Sequence, residues 1–199
     1  MTRPEDRREV TDVRRLSALA HPLRTALLSH LLAVGPRTAS ECAAAVDASP
    51  SNCSWHLRQL EKHGFVERAG EAADGRERPW RAAATGFRLG PAEDTPAIRS
   101  AVQALASVQL EEEFRLAQAY LRHEDELPEP WRHSAEFNTY GLLVDPVELA
   151  ELAERLDAVV RPYLAATRTD APDGARPVHV LHTAFLRPDA PSEAPSEAP

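Results

Sequence analysis

The chain has one lysine, two cysteines and eight glycines in 199 residues, and no apolar run near the ~20 residues a membrane-spanning helix needs. Each shortage excludes something. Without such a run, and with a charged start reading Met1-Thr2-Arg3-Pro4-Glu5-Asp6-Arg7-Arg8, neither a membrane span nor a secretory leader is expected, and a soluble cytoplasmic protein is. Two cysteines cannot build a disulfide framework. Cys42 and Cys53 fall in predicted helices among apolar neighbours and read as packing thiols rather than a metal or redox pair. Also missing are a glycine-rich phosphate loop, a Gly-x-Ser-x-Gly elbow and any cluster of histidines with carboxylates, so no catalytic residue, cofactor or enzyme is expected. Glu111-Glu112-Glu113 reads as a solvated helix face, and His179 and His182, three apart in a predicted strand, point to opposite faces and make no metal pair.

Charge is unevenly spread. The net charge is −8, yet residues 1–90 carry 14 Lys and Arg against 11 Asp and Glu, while residues 91–199 carry 9 against 20. Only the first half can meet a polyanion, because phosphate contacts supply most non-specific nucleic-acid affinity. Hydrophobic residues at 43% suffice for a buried core.

Proline and apolar spacing then divide the chain. Asp12 to Ala20 has helical spacing and ends before His21-Pro22. Pro22 suits the first turn of a second helix, over about 22–34, with Leu23, Leu27, Leu28, Leu31 and Leu32 as its stripe and Gly35-Pro36 as its stop. Thr38 and Glu41 form a capping-box pattern for a third helix to Val46, and Ser49 caps a fourth from Pro50 to His63, closed by Gly64. Phe65–Arg68 and Arg78–Ala82 read as a two-stranded hairpin around Asp74-Gly75. The outcome is a fold that is mainly α with an α+β C-terminal part.

The expected layout is a flexible tail over 1–11, a helix-and-hairpin domain over 12–90, an acidic domain over 91–187 and a disordered tail over 188–199, where Pro-Ser-Glu-Ala repeats. In the acidic domain a long helix is predicted over about 96–121. A strand-helix-strand unit follows, with strands at 135–144 and 178–186 around a helix at 146–164.

The fourth helix carries the chemistry. At ~100° per residue, Cys53, Leu57 and Leu60 share one face, while Ser51, Trp55, Arg58 and Lys62 lie opposite with Asn52, Ser54 and Gln59 on the flanks. That outer set suits DNA, since Arg pairs bidentately with guanine, Asn or Gln with adenine, and Ser, Lys and Arg hold phosphates. Trp55 opposite the apolar stripe needs an external surface to cover it. His56 lies nearer the buried side and reads first as a packing residue, second as a base contact. Arg76 and Arg78 flank the hairpin turn, where a wing can reach a minor groove or phosphates, although Glu71, Asp74 and Glu77 partly cancel them.

Three short helices and a hairpin make the winged helix-turn-helix plan. The stretches Leu16-Ser17-Ala18-Leu19-Ala20-His21-Pro22-Leu23-Arg24 and Ser49-Pro50-Ser51-Asn52-Cys53-Ser54-Trp55-His56-Leu57-Arg58-Gln59-Leu60-Glu61-Lys62-His63-Gly64-Phe65-Val66 resemble the ArsR-type winged-helix regulators over about residues 12–90. The resemblance implies a recognition-helix role for Ser51, Asn52, Ser54, Trp55, His56, Arg58 and Gln59. It also implies a homodimer on a double-stranded DNA operator, commonly a repressor released by a ligand. Metal-sensing members carry paired cysteines where this chain has Ala39-Ser40-Glu41-Cys42-Ala43, so metal sensing is not expected. The C-terminal half exceeds the single dimerisation helix of small members. It is expected to dimerise, joining two strand-helix-strand units into one sheet, and Trp131, Phe137, Tyr140 and Tyr163 offer walls for a small-molecule effector. The alternative is a winged-helix protein-docking module without DNA, with Trp55, Ser51 and Arg58 as its hot spot.

Overall fold

The computed structural model describes residues 7–70, 77–89 and 94–189. Local signals set most helix ends. In α1, Val13–Leu19, Asp12 accepts a hydrogen bond from the Arg15 backbone; α2, Pro22–Val34, begins on its proline and stops at Gly35. The next helix, α3, Ala39–Ala45, has the full Thr38–Glu41 capping box, and α4, Pro50–Lys62, is capped by Ser49 accepting from the Asn52 backbone. Gly64, at φ 73°, turns the chain out of α4 so that the Phe65 amide reaches the Leu60 carbonyl at 3.0 Å.

One core joins these pieces. Leu16, Leu27, Leu31, Cys42, Cys53, Leu57, Leu60, Phe65 and Trp80 are essentially inaccessible to solvent. Behind α4, β2, Val66–Arg68, pairs antiparallel with β3, Trp80–Ala82, in the register Val66↔Ala82, Glu67↔Arg81, Arg68↔Trp80. Arg37 extends that sheet by a bridge to Trp80, its amide donating to the Trp80 carbonyl at 2.9 Å. The wing is therefore fixed at its base to the turn between α2 and α3.

Three expectations need correction. Residues 8–10, expected in a flexible tail, form β1, Arg8–Val10, which pairs in parallel with β4, Phe87–Leu89, also unforeseen. The reason is that Val10 is drawn into the core, at 2% exposure, and Phe87 packs edge-on to Phe65 with 5.0 Å between ring centroids. Nor does the core stop at residue 90: α5, Pro96–His123, lays Ala101 and Leu105 into it against α1 and α2. Finally, the strand-helix-strand unit keeps only its helix. After the short α6, Glu129–Arg132, residues 135–144 have no regular secondary structure; α7, Pro146–Val160, follows with an Asp145–Glu148 capping box, and residues 178–186, like 135–144, form no strand pair with the described residues. A strand needs a neighbour for its backbone groups, and among the described residues neither segment has one. The expected tail at 188–199 lies almost wholly outside the described residues. Among the described residues, no helix is long and apolar enough to cross a membrane.

A histidine pair attaches α4 to the start of α2. His56 is 6% exposed, its ring 4.5 Å from that of His21, and the Nδ1 atoms of both rings are buried without a hydrogen-bond partner. Burial, with the neighbouring Arg24, holds both imidazoles below their ordinary pKa of 6.5, and for His56 the facing His21 adds to it. The folded state thus binds fewer protons than the unfolded state, so stability is complete above about pH 6.5 and is lost as pH falls below it. Burial acts in the same sense on His30 and His63, whereas the hydrogen bond to Glu113 raises His179 and opposes them. The thermal midpoint followed by circular dichroism is expected to drop between pH 7.5 and pH 5.5, and His21→Gln/His56→Gln is expected to flatten that slope; an unchanged slope would remove the pair as its source.

Candidate nucleic-acid interface

The inward pull on Cys53, His56, Leu57 and Leu60 decides what α4 shows to solvent. Ser51, Asn52, Trp55, Arg58 and Lys62 are exposed, with Ser54 and Gln59 half-buried beside them. Arg58 is steered along the helix, its Nη2 donating to Ser54 Oγ at 3.0 Å, and the Ser51 hydroxyl is 3.1 Å from that of the cap Ser49. Trp55 is 52% exposed and stands on the edge of the His56 ring, centroids 4.7 Å apart. A large aromatic held half out of water by a buried neighbour is preset to meet a second surface. His56, placed among the candidate DNA contacts, is not on this face: it lies beneath Trp55 and positions it. The physical reason is angular, since His56 adjoins the Cys53–Leu57–Leu60 side of the helix and its ring finds His21 there.

The wing stem stands beside this face. Arg78 is exposed, but its Nη2 donates to the Gly70 carbonyl at 2.8 Å, and Arg81 pairs with Glu67 across the hairpin at 2.8 Å. Arg76 lies outside the described residues. Ser40 of α3 donates to Glu77 at 3.2 Å, tying the wing to the helix that precedes α4. Sequence reading missed Arg68. Its guanidinium lies over the Trp80 ring, 3.5 Å from the centroid, and donates to the Arg78 carbonyl at 2.8 Å. Burial depresses its pKa, and it lies within electrostatic range of Glu61 and Arg58 of α4. Arg68 therefore ties the wing stem to the core. The signal was available in the hairpin, where alternation puts position 68 across from Trp80.

The cations facing outward are few and mixed with anions: Arg58 and Lys62 on α4 are interleaved with Glu61, and Arg78 with Glu77. Such a surface is fitted for selective contacts at few points rather than for a broad basic patch. Cys42 and Cys53 are both buried; burial pushes the Cys42 thiol up to about 11, so it stays protonated and unreactive. Among the described residues no group of three or more histidines, cysteines and carboxylates is placed to hold a metal ion.

Residues 19–69 match the family model of a helix-turn-helix domain. No curated protein matches the chain. Among solved structures the chain is similar to the homodimeric winged helix-turn-helix DNA-binding domain of a possible ArsR-family transcriptional regulator from Mycobacterium bovis, at 26% identity over 50% of this chain and 76% of that one, with a TM-score of 0.32. It is also similar to a MarR family protein from Mycobacterium tuberculosis in complex with salicylic acid, at 21% identity over 71% of this chain and 84% of that one, with a TM-score of 0.26. A transcriptional regulator from Thermotoga maritima is 11% identical over 73% and 80%, with a TM-score of 0.28. Superpositions at these scores share only part of the backbone. The assignment rests instead on the matched segment and the element order: α2, α3 and α4 followed by the β2–β3 hairpin make this part of the chain a winged helix-turn-helix.

Proposed function

We propose that the protein is a DNA-binding transcription regulator, a dimeric repressor that sets α4 into the major groove of an operator and lays the wing along the flanking backbone. The outward face of α4 carries this reading: five exposed polar or aromatic side chains on one side of a 13-residue helix, about 20 Å long, that is anchored by four buried ones. Arg58, Asn52 and Gln59 supply the donors and acceptors that base edges require, Ser51, Ser54 and Lys62 suit phosphates, and Trp55 suits thymine methyls or sugar. Of the wing, Arg78 contributes from the described stem.

The same reading takes the protein as a homodimer, because operators of such regulators present two half-sites about one helical turn apart. It also accommodates a small-molecule effector. A cavity of about 150 Å³ lies between α2, the end of α3, α5 and residues 177–179, with His30, Val46, Glu112, Arg115, Leu116 and His179 in its lining. Glu112, buried and held by a two-point ion pair with Arg115 at 2.7 and 2.8 Å, sits where DNA-reading helices and C-terminal half meet. An occupant there touches both. Trp55 favours one competing reading, a protein-docking face without DNA.

Fluorescence anisotropy with genomic duplex fragments separates the two. Affinity that falls steeply between 50 and 200 mM salt supports the regulator; no binding even at low salt supports docking. Arg58→Ala is expected to weaken binding to a selected operator by about 10- to 100-fold, while the thermal midpoint stays unchanged because the side chain is exposed. His56→Ala is expected to lower the midpoint by disturbing the packing beneath Trp55. Equal operator affinity in wild type and Arg58→Ala would move the reading surface elsewhere.

A further inference from the structure

We infer that residues 135–144 and 178–186 are exchanged between two copies of the chain, each segment of one copy pairing as a strand with the other segment of its mate. The inference rests on the homodimer reading above and adds its architecture. Neither segment forms regular secondary structure, and every residue of 136–144 and of 169–189 is exposed. Among the described residues no main-chain hydrogen bond involves residues 136–144 or 176–187. Yet the side chains are those of a sheet core: Leu143 and Leu186 are 88% and 86% exposed, and Phe137, Tyr140, Val180 and Phe185 between 64% and 76%. Extended apolar chain in water pays the ordering cost with nothing to offset it unless a neighbour supplies both the ladder and the cover.

Three observations identify that neighbour as a second copy. The first is area. Five rings, Phe114, Phe137, Tyr140, Tyr163 and Phe185, are each 65–76% exposed. At about 200 Å² a ring they alone leave roughly 700 Å² uncovered, close to the ~800 Å² that one side of a standard interface buries. Leu110 and Leu121, on the half of α5 that has left the core, add to it. The second is length: ten and nine residues, each about 30 Å when extended, make matched partners. The third is charge. The half-chain beyond residue 90 carries 20 acidic residues, yet 135–144 holds one, Glu136, and 178–186 holds none and two imidazoles, His179 and His182. Unlike segments thus bring a carboxylate toward imidazoles, whereas two copies of 178–186 would stack imidazoles on imidazoles. A twofold axis makes the exchange occur twice, giving a closed, self-complementary interface. The start of the second segment is already steered, because His179 hydrogen-bonds Glu113 of α5.

Mixing two variants tests this. Tyr140→Asp damages the first segment and Val180→Asp the second, and both side chains project into solvent in the single chain, so circular dichroism should show unchanged folding. Wild type is expected to sediment at twice its 21.9 kDa mass. Each variant alone is expected to dimerise at least about 100-fold more weakly, since an unpaired carboxylate enters both interfaces of the pair. An equimolar mixture is expected to recover a dimer, because one of its two exchanged interfaces is wild type on both sides. Leu142→Asp with Phe185→Asp should repeat the pattern. Monomeric wild type overturns the homodimer reading and the exchange with it. Dimeric wild type with dimeric single variants, or with monomeric variants that do not rescue one another, leaves the homodimer standing and overturns the exchange.

Discussion

Four side chains of α4 go inward together, Cys53, His56, Leu57 and Leu60, and the rest of the DNA-facing geometry follows from where they go. Their neighbours come from several pieces of the N-terminal domain: α2 and α3, α1 with His21 at the α1–α2 corner, and the β2 side of the hairpin. Burying them fixes the helix in rotation, so Trp55, Arg58 and Lys62 have no choice but the outside. The end of α4 is fixed as well, since Arg15 donates to the His63 carbonyl at 3.2 Å and Arg8 to that of Gly64 at 3.5 Å. Two arginines at exposed helix-end carbonyls also complement the helix dipole. A helix restrained in rotation and at its end can present polar side chains in register, which is what reading base edges demands.

Much of this was legible in the sequence because the signals are local. Pro22, Gly35, the Thr38–Glu41 box, Ser49-Pro50 and Gly64 each act within four residues, and the helices they bound fall where spacing puts them. What escaped is non-local. β1 and β4 are three residues each and lie nearly eighty residues apart, so the only trace of β1 in the sequence is one apolar residue, Val10, in a charged stretch. The angle of His56 was legible, since it adjoins the Cys53–Leu57–Leu60 side of the helix; what the helical wheel does not show is the neighbour it meets there, His21, brought by a different turn. The segments 135–144 and 178–186 have the composition of strands, but composition specifies a surface to be covered, not the chain that covers it.

Electrostatics divides the molecule in a similar way. The stem arginines are largely spent on the fold: Arg68 on Trp80 and the Arg78 carbonyl, Arg78 on Gly70, Arg81 on Glu67. That leaves Arg58 and Lys62 as the outward cations of α4, with Glu61 between them. Against a chain of net charge −8, long-range attraction to DNA is weak, which leaves close contacts from the outward face of α4 to carry more of the affinity. The acidic half, by the same charge, is kept off the phosphates.

α5 belongs to both halves. At 28 residues it runs about 42 Å, and its two ends have different chemistry. Ala101 and Leu105 are core residues packed on α1 and α2, whereas Leu110, Phe114 and Leu121 face solvent. Between them Glu112 is buried and bound to Arg115, and next to it Glu113 holds His179. α5 therefore ties the packed N-terminal core to the C-terminal half, and the charged cluster at Glu112, Glu113, Arg115 and His179 sits where the two meet, because the same stretch of helix that leaves the α1–α2 core supplies the carboxylates that hold Arg115 and His179.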